Sequence, residues 1–397
     1  AAARAHHEAT GRGVGAGLQY KTQVEGRADH KLSSANSLFA RWSWNRTGAN
    51  VYDYNLITMP PRDQDRRTTT LTVSDTHLFS PALINEFRFG IMRTRNPAFN
   101  PLDGPALVRE FGLEGIVWNP QIAKGAPVFS FVNFERIGAD DLYQDPSERI
   151  HQVVNNLTWT RGNHTIKTGG DLRWNRGTNF PGGTSFPVRQ FGQFDFSGAF
   201  SGFDYADFLL GLPQTAGRAN AKPLINSINT DFSWFVQDDW KVSPRLTLNL
   251  GLRYEFNPPY HEKDGNFFNF DPQTGRVIVP NERSLREVNP LFPKDLVPVV
   301  AASGEVPESL FFSDRNNFVP RFGFAFRPFQ NARTVLRGGY GAYVDDLTSS
   351  LWRLGTGGPY VSSETFTNAV SGGAPRFQFP RAFPAGFGAI GAQSFNA

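Results

Sequence analysis

The segment that most constrains this chain is LTLNLGLRYEF, Leu246–Phe256. Leu246, Leu248, Leu250, Leu252, Tyr254 and Phe256 are apolar, while Thr247, Asn249, Gly251, Arg253 and Glu255 between them are polar or lack a side chain. Successive side chains of a strand point to opposite faces, so the segment reads as a strand with one apolar and one wet face. Its partner lies just upstream, where Phe232, Trp234, Val236, Trp240 and Val242 share one register, interrupted by Asp238. A three-residue loop at Ser243, Pro244 and Arg245 sets Val242 opposite Leu246, Trp240 opposite Leu248 and Trp234 opposite Tyr254. The apolar face then needs either a protein core or lipid to cover it.

The same device recurs at FSPAL, Phe79–Leu83. Leu71, Val73 and Phe79 of the first arm and Leu83, Phe87, Phe89 and Ile91 of the second share the apolar face, with Glu86 and Arg88 opposite. In all, the alternation predicts five hairpins, at about 24–46, 67–93, 152–175, 230–257 and 316–345, with weaker strand candidates near Gly15–Thr22 and Gly192–Phe200. Connections inside hairpins are about 3 to 6 residues; those between hairpins are about 20 once and otherwise about 50 or more, over 47–66, 94–149, 175–230 and 257–316. This strict alternation places every short turn at one end of a sheet and every long loop at the other. A sandwich has no reason to sort its loops so; an outer-membrane barrel has short periplasmic turns, long extracellular loops and an apolar outer band. Trp44, Trp159, Trp174, Trp234, Trp240 and Tyr254 lie near strand ends, where aromatic girdles belong, although general packing is the commoner role of any one tryptophan.

Composition agrees with a strand-and-turn protein. There are 37 Phe, 8 Trp and 10 Tyr among 397 residues, with 39 Gly and 28 Pro. No cysteine is present, which excludes disulfides, zinc–thiolate sites and a cysteine nucleophile. The formal charge of +4 is small for the length, and no dense basic run points to nucleic acid. No stretch reaches the apolar length of a membrane-spanning helix. The N-terminus lacks the apolar core of a signal peptide, and both ends read as cuts through a longer chain.

The stretches Trp234–Glu255 (WFVQDDWKVSPRLTLNLGLRYE) and Asn316–Asp346 (NNFVPRFGFAFRP…RTVLRGGYGAYVDD) resemble the barrel of TonB-dependent outer-membrane transporters, and more narrowly their Oar-like class. Arg27–Trp44, Thr76–Gly90, Leu157–Trp174 and Phe196–Pro213 agree and follow in the required order. The resemblance implies an all-β, antiparallel up-and-down transmembrane barrel of about 22 strands, of which this chain supplies about ten to twelve. It also implies a cell outer membrane location in a Gram-negative bacterium, a plug domain inside the barrel and energy from a TonB–ExbB–ExbD complex. Outer-membrane lipid and an unidentified extracellular substrate complete the expected partners. Neither plug, TonB box nor regulatory N-terminal domain is found in this sequence.

The residues offer little chemistry of their own. His6-His7-Glu8 reads as a solvated tail, and His30, His77, His151 and His164 have no ligand spacing around them. The pairs Asp238-Asp239 and Asp345-Asp346 lie on strands, where neighbours face opposite sides and do not converge on an acid–base site. The glycines of RGGYGAY, Arg337–Tyr343, lack the helix and Lys-Ser/Thr of a phosphate loop and suit close backbone approach. DPQTGR, Asp271–Arg276, reads as a turn, and ADFLLGLP, Ala206–Pro213, as a loop helix or strand that anchors its own loop. Catalytic, cofactor-binding and metal residues are therefore expected to be none, and the substrate-binding residues stay unassigned. The predicted lumen face carries Glu25, Arg27, Asp29, Arg41, Glu86, Arg88, Lys167, Asp171, Arg173, Arg253, Glu255, Arg321 and Arg337, a charge mixture suited to a polar plug. The leading expectation is a transporter or receptor, not an enzyme. A structural or adhesive surface protein is the alternative, and a secreted β-rich carbohydrate-binding module or enzyme fits the loop sorting least.

Overall fold

The computed structural model describes residues 19–51, 62–116, 118, 124–138, 145–179, 190–220, 225–289, 292–304, 306–329, 334–344, 358–360, 362–371 and 374–383. Ten long strands form the wall: β1 Gln19–Lys31, β2 Asn36–Val51, β3 Arg62–Ser80, β4 Leu83–Arg95, β5 Ser147–Arg161, β6 His164–Asn179, β7 Ile225–Ser243, β8 Leu246–Phe256, β9 Phe318–Phe326 and β10 Leu336–Gly341. Their order in the sheet is their order in the chain, and each neighbouring pair is antiparallel. β1 and β10 each have one neighbour, so the described wall is open at two edges.

The strands outrun the apolar alternation. β3 and β7 are each 19 residues long, about twice what is needed to cross a bilayer. The β2–β3 ladder continues to the pair Val51–Arg62, so the connection expected over 47–66 narrows to residues 52–61. The backbone ladder keeps pairing after the apolar face has ended, because cross-strand hydrogen bonds do not depend on what the side chains face. The two weaker strand candidates add nothing separate to the wall. Residues 19–22 belong to β1, with 15–18 outside the described residues, and Gln193–Phe196 joins a different sheet.

The Ser-Pro turns are shorter than expected. Lys241 pairs with Thr247 and Ser243 with Leu246, which makes Val242 the extra residue of a bulge. Val242 therefore does not face Leu246, whereas the pairs Trp240–Leu248 and Trp234–Tyr254 form. Phe79 is bulged in the same way before the turn at Pro81 and Ala82. In both turns the serine hydroxyl accepts the amide two residues on, Ala82 N to Ser80 Oγ at 3.2 Å and Arg245 N to Ser243 Oγ at 3.3 Å. Each turn is then tied to the next hairpin. The carbonyls of Ala35, Ala82, Asn163 and Arg245 accept from the amides of Leu78, Thr160, Lys241 and Arg327 at 2.7–2.8 Å. The short turns thus share one rim.

At the opposite end the long connections fold on one another. Strands Val128–Phe131, Gln193–Phe196, Thr215–Asn220 and Ser362–Thr367 make a second sheet drawn from three separate connections. Its core is phenylalanine: Phe129, Phe191, Phe194, Phe196 and Phe377 are buried together. Helix α1, Gly104–Glu110, borders this core with Val108 and starts at Asp103, whose side chain accepts the Ala106 amide. A third sheet, Asn269–Asp271, Arg276–Val279 and Val299–Ala301, closes over Val277, Val279, Val288, Phe292 and Tyr360.

Candidate functional site: the inner face and the cap

The register places all thirteen charged residues expected in the lumen on one face of the wall, opposite Leu71, Ile91, Val153 and Leu172. Several meet as ion pairs. Arg41 reaches Glu25 at 2.9 Å, Arg27 reaches Asp29 at 2.7 Å, and Arg173 reaches Asp171 at 3.6 Å. Arg253 pairs with Glu255 and also donates to Ser233 Oγ at 2.8 Å. Lys167 reaches Asp239 at 3.2 Å, and the Arg321 guanidinium sits over the Tyr343 ring. Glu86, Arg88 and Arg337 make no ion pair among the described residues. Gly338 lies where an added Cβ would stand 2.6 Å from the Phe324 ring, so the glycine serves close approach within the wall.

Asp171, Arg173, Asp231, Ser233, Arg253 and Glu255 line a recess of about 210 Å³ on this inner face. Asp231 was not singled out by sequence. It accepts from Asn175 at 2.7 Å and Asn229 at 2.8 Å, while Asp171 accepts from Gln152 at 2.8 Å and its Oδ1 has no hydrogen-bond partner among the described residues. These groups meet because β5, β6, β7 and β8 are neighbours in the wall, and no short-range pattern in the chain announces it.

The paired aspartates separate as strand geometry demands. Asp239 turns inward to Lys167, and Asp238 lies on the outer face, 2.7 Å from His164, whose ring stacks on Trp240. His77 packs edge-on against Phe79. No cluster of histidine, aspartate and glutamate able to hold a metal occurs among the described residues. His6-His7-Glu8 and Asp345-Asp346 lie outside the described residues.

The cap supplies the other half of the site. Arg218 and Glu364 form a buried ion pair at 2.7 Å, with side chains 5% and 4% exposed. Arg218 also donates to the Gly115 carbonyl and lies 4.6 Å from the Phe383 ring centre. Three connections thus converge on one guanidinium. In α2, Asp204–Leu209, the anchor is not the leucine pair, since Leu209 and Leu210 are exposed. Phe208 packs on the phenylalanine core instead, and two fully buried aspartates hold the neighbouring loop. Asp204 accepts the amides of Val132 and Asn133, and Asp207 those of Phe200 and Ser201. Burial pushes the Asp204 carboxyl up, but the amides of Asn133, Tyr205 and Val132 outweigh it and hold the group below its ordinary range. Glu262 shows the reverse: burial raises it although the amides of Asn266, Asn226 and Asp264 donate to it. Asp271 closes a turn by accepting from Gln273 N and Thr274 Oγ1.

Residues 9–397 match the family model described as outer membrane beta barrel domain. Among solved structures, the chain is similar to the outer membrane transporter YddB from Escherichia coli, with 10% identity, 88% of this chain and 35% of that chain covered, and a TM-score of 0.51. It is also similar to FpvA of P. aeruginosa bound to pyoverdines, with 9% identity, 80% and 34% covered, and a TM-score of 0.43. The ferric-catecholate import receptor Fiu from E. coli gives 11% identity, 83% and 48% covered, and a TM-score of 0.42. This chain therefore spans from about a third to about half of the length of these three structures. Comparison with curated proteins gave no match. The up-and-down wall is the transmembrane barrel architecture of a Gram-negative outer membrane, with its apolar face toward lipid. The chain belongs to the outer membrane beta barrel domain family.

Proposed function

We propose that this chain is part of the wall and the extracellular mouth of an outer-membrane TonB-dependent transporter or receptor, of the Oar-like class. One observation carries the reading: the same ten strands that hold a mixed-charge inner face also support a folded cap at their long-loop end. A cap built from several connections offers an extracellular ligand a shaped surface, and the charged inner face suits contact with a polar plug domain. Transport then requires the plug to be displaced, which the TonB–ExbB–ExbD complex would drive. The chain's chemistry is positioning and passage, not bond-making.

The test uses the full-length protein in energised cells. Arg253→Glu places a repelling charge beside Glu255 and removes the bond to Ser233. Plug cysteines are expected to label faster with a membrane-impermeant maleimide in this variant than in the wild type. TonB deletion is expected to abolish the ligand-induced change in labelling. Unchanged labelling in both arms counts against the reading and in favour of a surface protein that binds without transporting.

A further inference from the structure

The outer face of the wall carries two neighbouring rows of arginine above its apolar band. The band ends in the register row Trp42–Leu71–Ile91–His151–Trp174. The next row toward the long loops reads Trp44–Thr69–Arg93–Arg149–Arg176, and the one after it Arg46–Arg67–Arg95–Ser147. The farther row is ion-paired within the chain. Asp65 takes both Arg46, at 2.8 Å, and Arg67, while Asp145 takes Arg95. The nearer row is not. Arg93, Arg149 and Arg176 are direct cross-strand neighbours, all exposed, and no carboxylate within the described residues pairs with any of them.

Like charges directly opposite one another on a sheet repel, with Cβ atoms about 5 Å apart. Three guanidiniums in such a row are stabilised by a counter-charge that meets them together. Their place narrows what that is. They share the face of Ile91, Val153 and Leu172, one row beyond the exposed Trp42 and Trp174 that mark the interface. Aromatic rings sit at headgroup level, so the next row stands among the headgroups of the outer leaflet. Guanidinium forks match phosphate oxygens in geometry and charge.

We propose that Arg93, Arg149 and Arg176 form a docking site on the outer wall for the phosphate of a lipid in the extracellular leaflet. The apolar band beneath takes the acyl chains, and the three guanidiniums take the phosphate. The site depends on the barrel's place in the membrane and on the register, not on transport.

The experiment uses full-length protein purified in detergent, with bisphosphorylated lipid A as probe, read by native mass spectrometry. The triple variant Arg93→Gln/Arg149→Gln/Arg176→Gln is expected to bind the probe about tenfold or more weakly, and the triple lysine variant to keep most of the binding. Arg67→Gln, in the ion-paired row, is expected to change little. Heat-modifiable migration confirms that each barrel is folded; if the triple glutamine variant does not fold, Arg149→Gln, at the centre of the row, is read for partial loss. Equal binding by wild type and folded glutamine variant overturns the proposal. So does equal binding of fully dephosphorylated lipid A, or displacement of the probe by inorganic phosphate alone, which would assign the row to a free anion.

Discussion

The wall and the cap of this protein bury opposite things. In the wall, large apolar side chains stay exposed: Phe79 is 62% exposed, Phe322 46% and Trp42 42%. In the cap, Phe194 is 0% exposed and Phe196 1%. One chain thus uses phenylalanine for two solvents. The wall delegates its apolar face to lipid and holds itself together by the backbone ladder, in which each wall strand except the two at the edges has a neighbour on both sides. The cap faces water and must assemble its own core, as any soluble domain does. Apolar content alone therefore says nothing about burial in this chain; the medium each element faces sets it.

Three substitutions and one change of conditions test that contrast. Phe194→Ala empties the centre of the cap core and is expected to cost about 3–5 kcal/mol of cap stability. Hydrogen exchange should show protection lost across the second sheet and retained in β7 and β8. Arg218→Met leaves Glu364 buried without its partner, and breaking such a pair costs about 3–5 kcal/mol, falling at or just below the first effect. Pairing it with Glu364→Leu should recover most of the loss by the same measurement, because an apolar pair has no charge to desolvate. Leu252→Arg puts a charge on the lipid face of β8 opposite Val236 and is expected to cost the wall about 2–4 kcal/mol in a lipid refolding titration. Arginine at Asn249, an inward position of the same strand, should be tolerated.

The smallest effect expected is that of pH on the cap. Asp204 has its carboxyl depressed, so the stability it confers is present above the ordinary range near 4 and is lost as pH falls through the depressed value. Glu262 is raised, so its contribution is full below about 4.3 and declines as pH rises through the raised value. Exchange at the Asn133 amide, corrected for intrinsic rate, should quicken on acidification, and that at the Asn266 amide should slow. Equal movement at both amides would mean that a shared unfolding of the cap, rather than these two carboxylates, governs the response.

How much of this was legible differs between the two regions for a physical reason. Wall strands state their faces locally. Leu246, Leu248, Leu250 and Leu252 mark one side of β8 whatever surrounds them, and Ser-Pro marks the turn before it. The inward position of Arg253 and Asp171 followed from the same parity. The bulge at Val242 did not, because a hydroxyl–amide bond within the turn shortened the loop by one residue. The cap was not legible at all as a unit. Phe129, Phe194 and Phe377 come from three connections and have no periodicity that joins them. The stretch Ala206–Pro213 reads as a loop anchor, and the structure shows that the anchoring groups are Phe208, Asp207 and, just before that stretch, Asp204.

Consecutive residues carry the alternation and the sorting of short turns from long loops, and hence an up-and-down wall with one face for lipid and one for the lumen. Side-chain parity is a local property of a strand, so it is written in consecutive residues. The tertiary structure added the register between successive hairpins and the meeting of distant connections. That brought Asp231 to Arg253 in the inner recess, joined Arg218 to Glu364 across the cap, and lined up Arg93, Arg149 and Arg176 on the outer face. Such meetings depend on where long connections return the chain, and no stretch of consecutive residues encodes that distance.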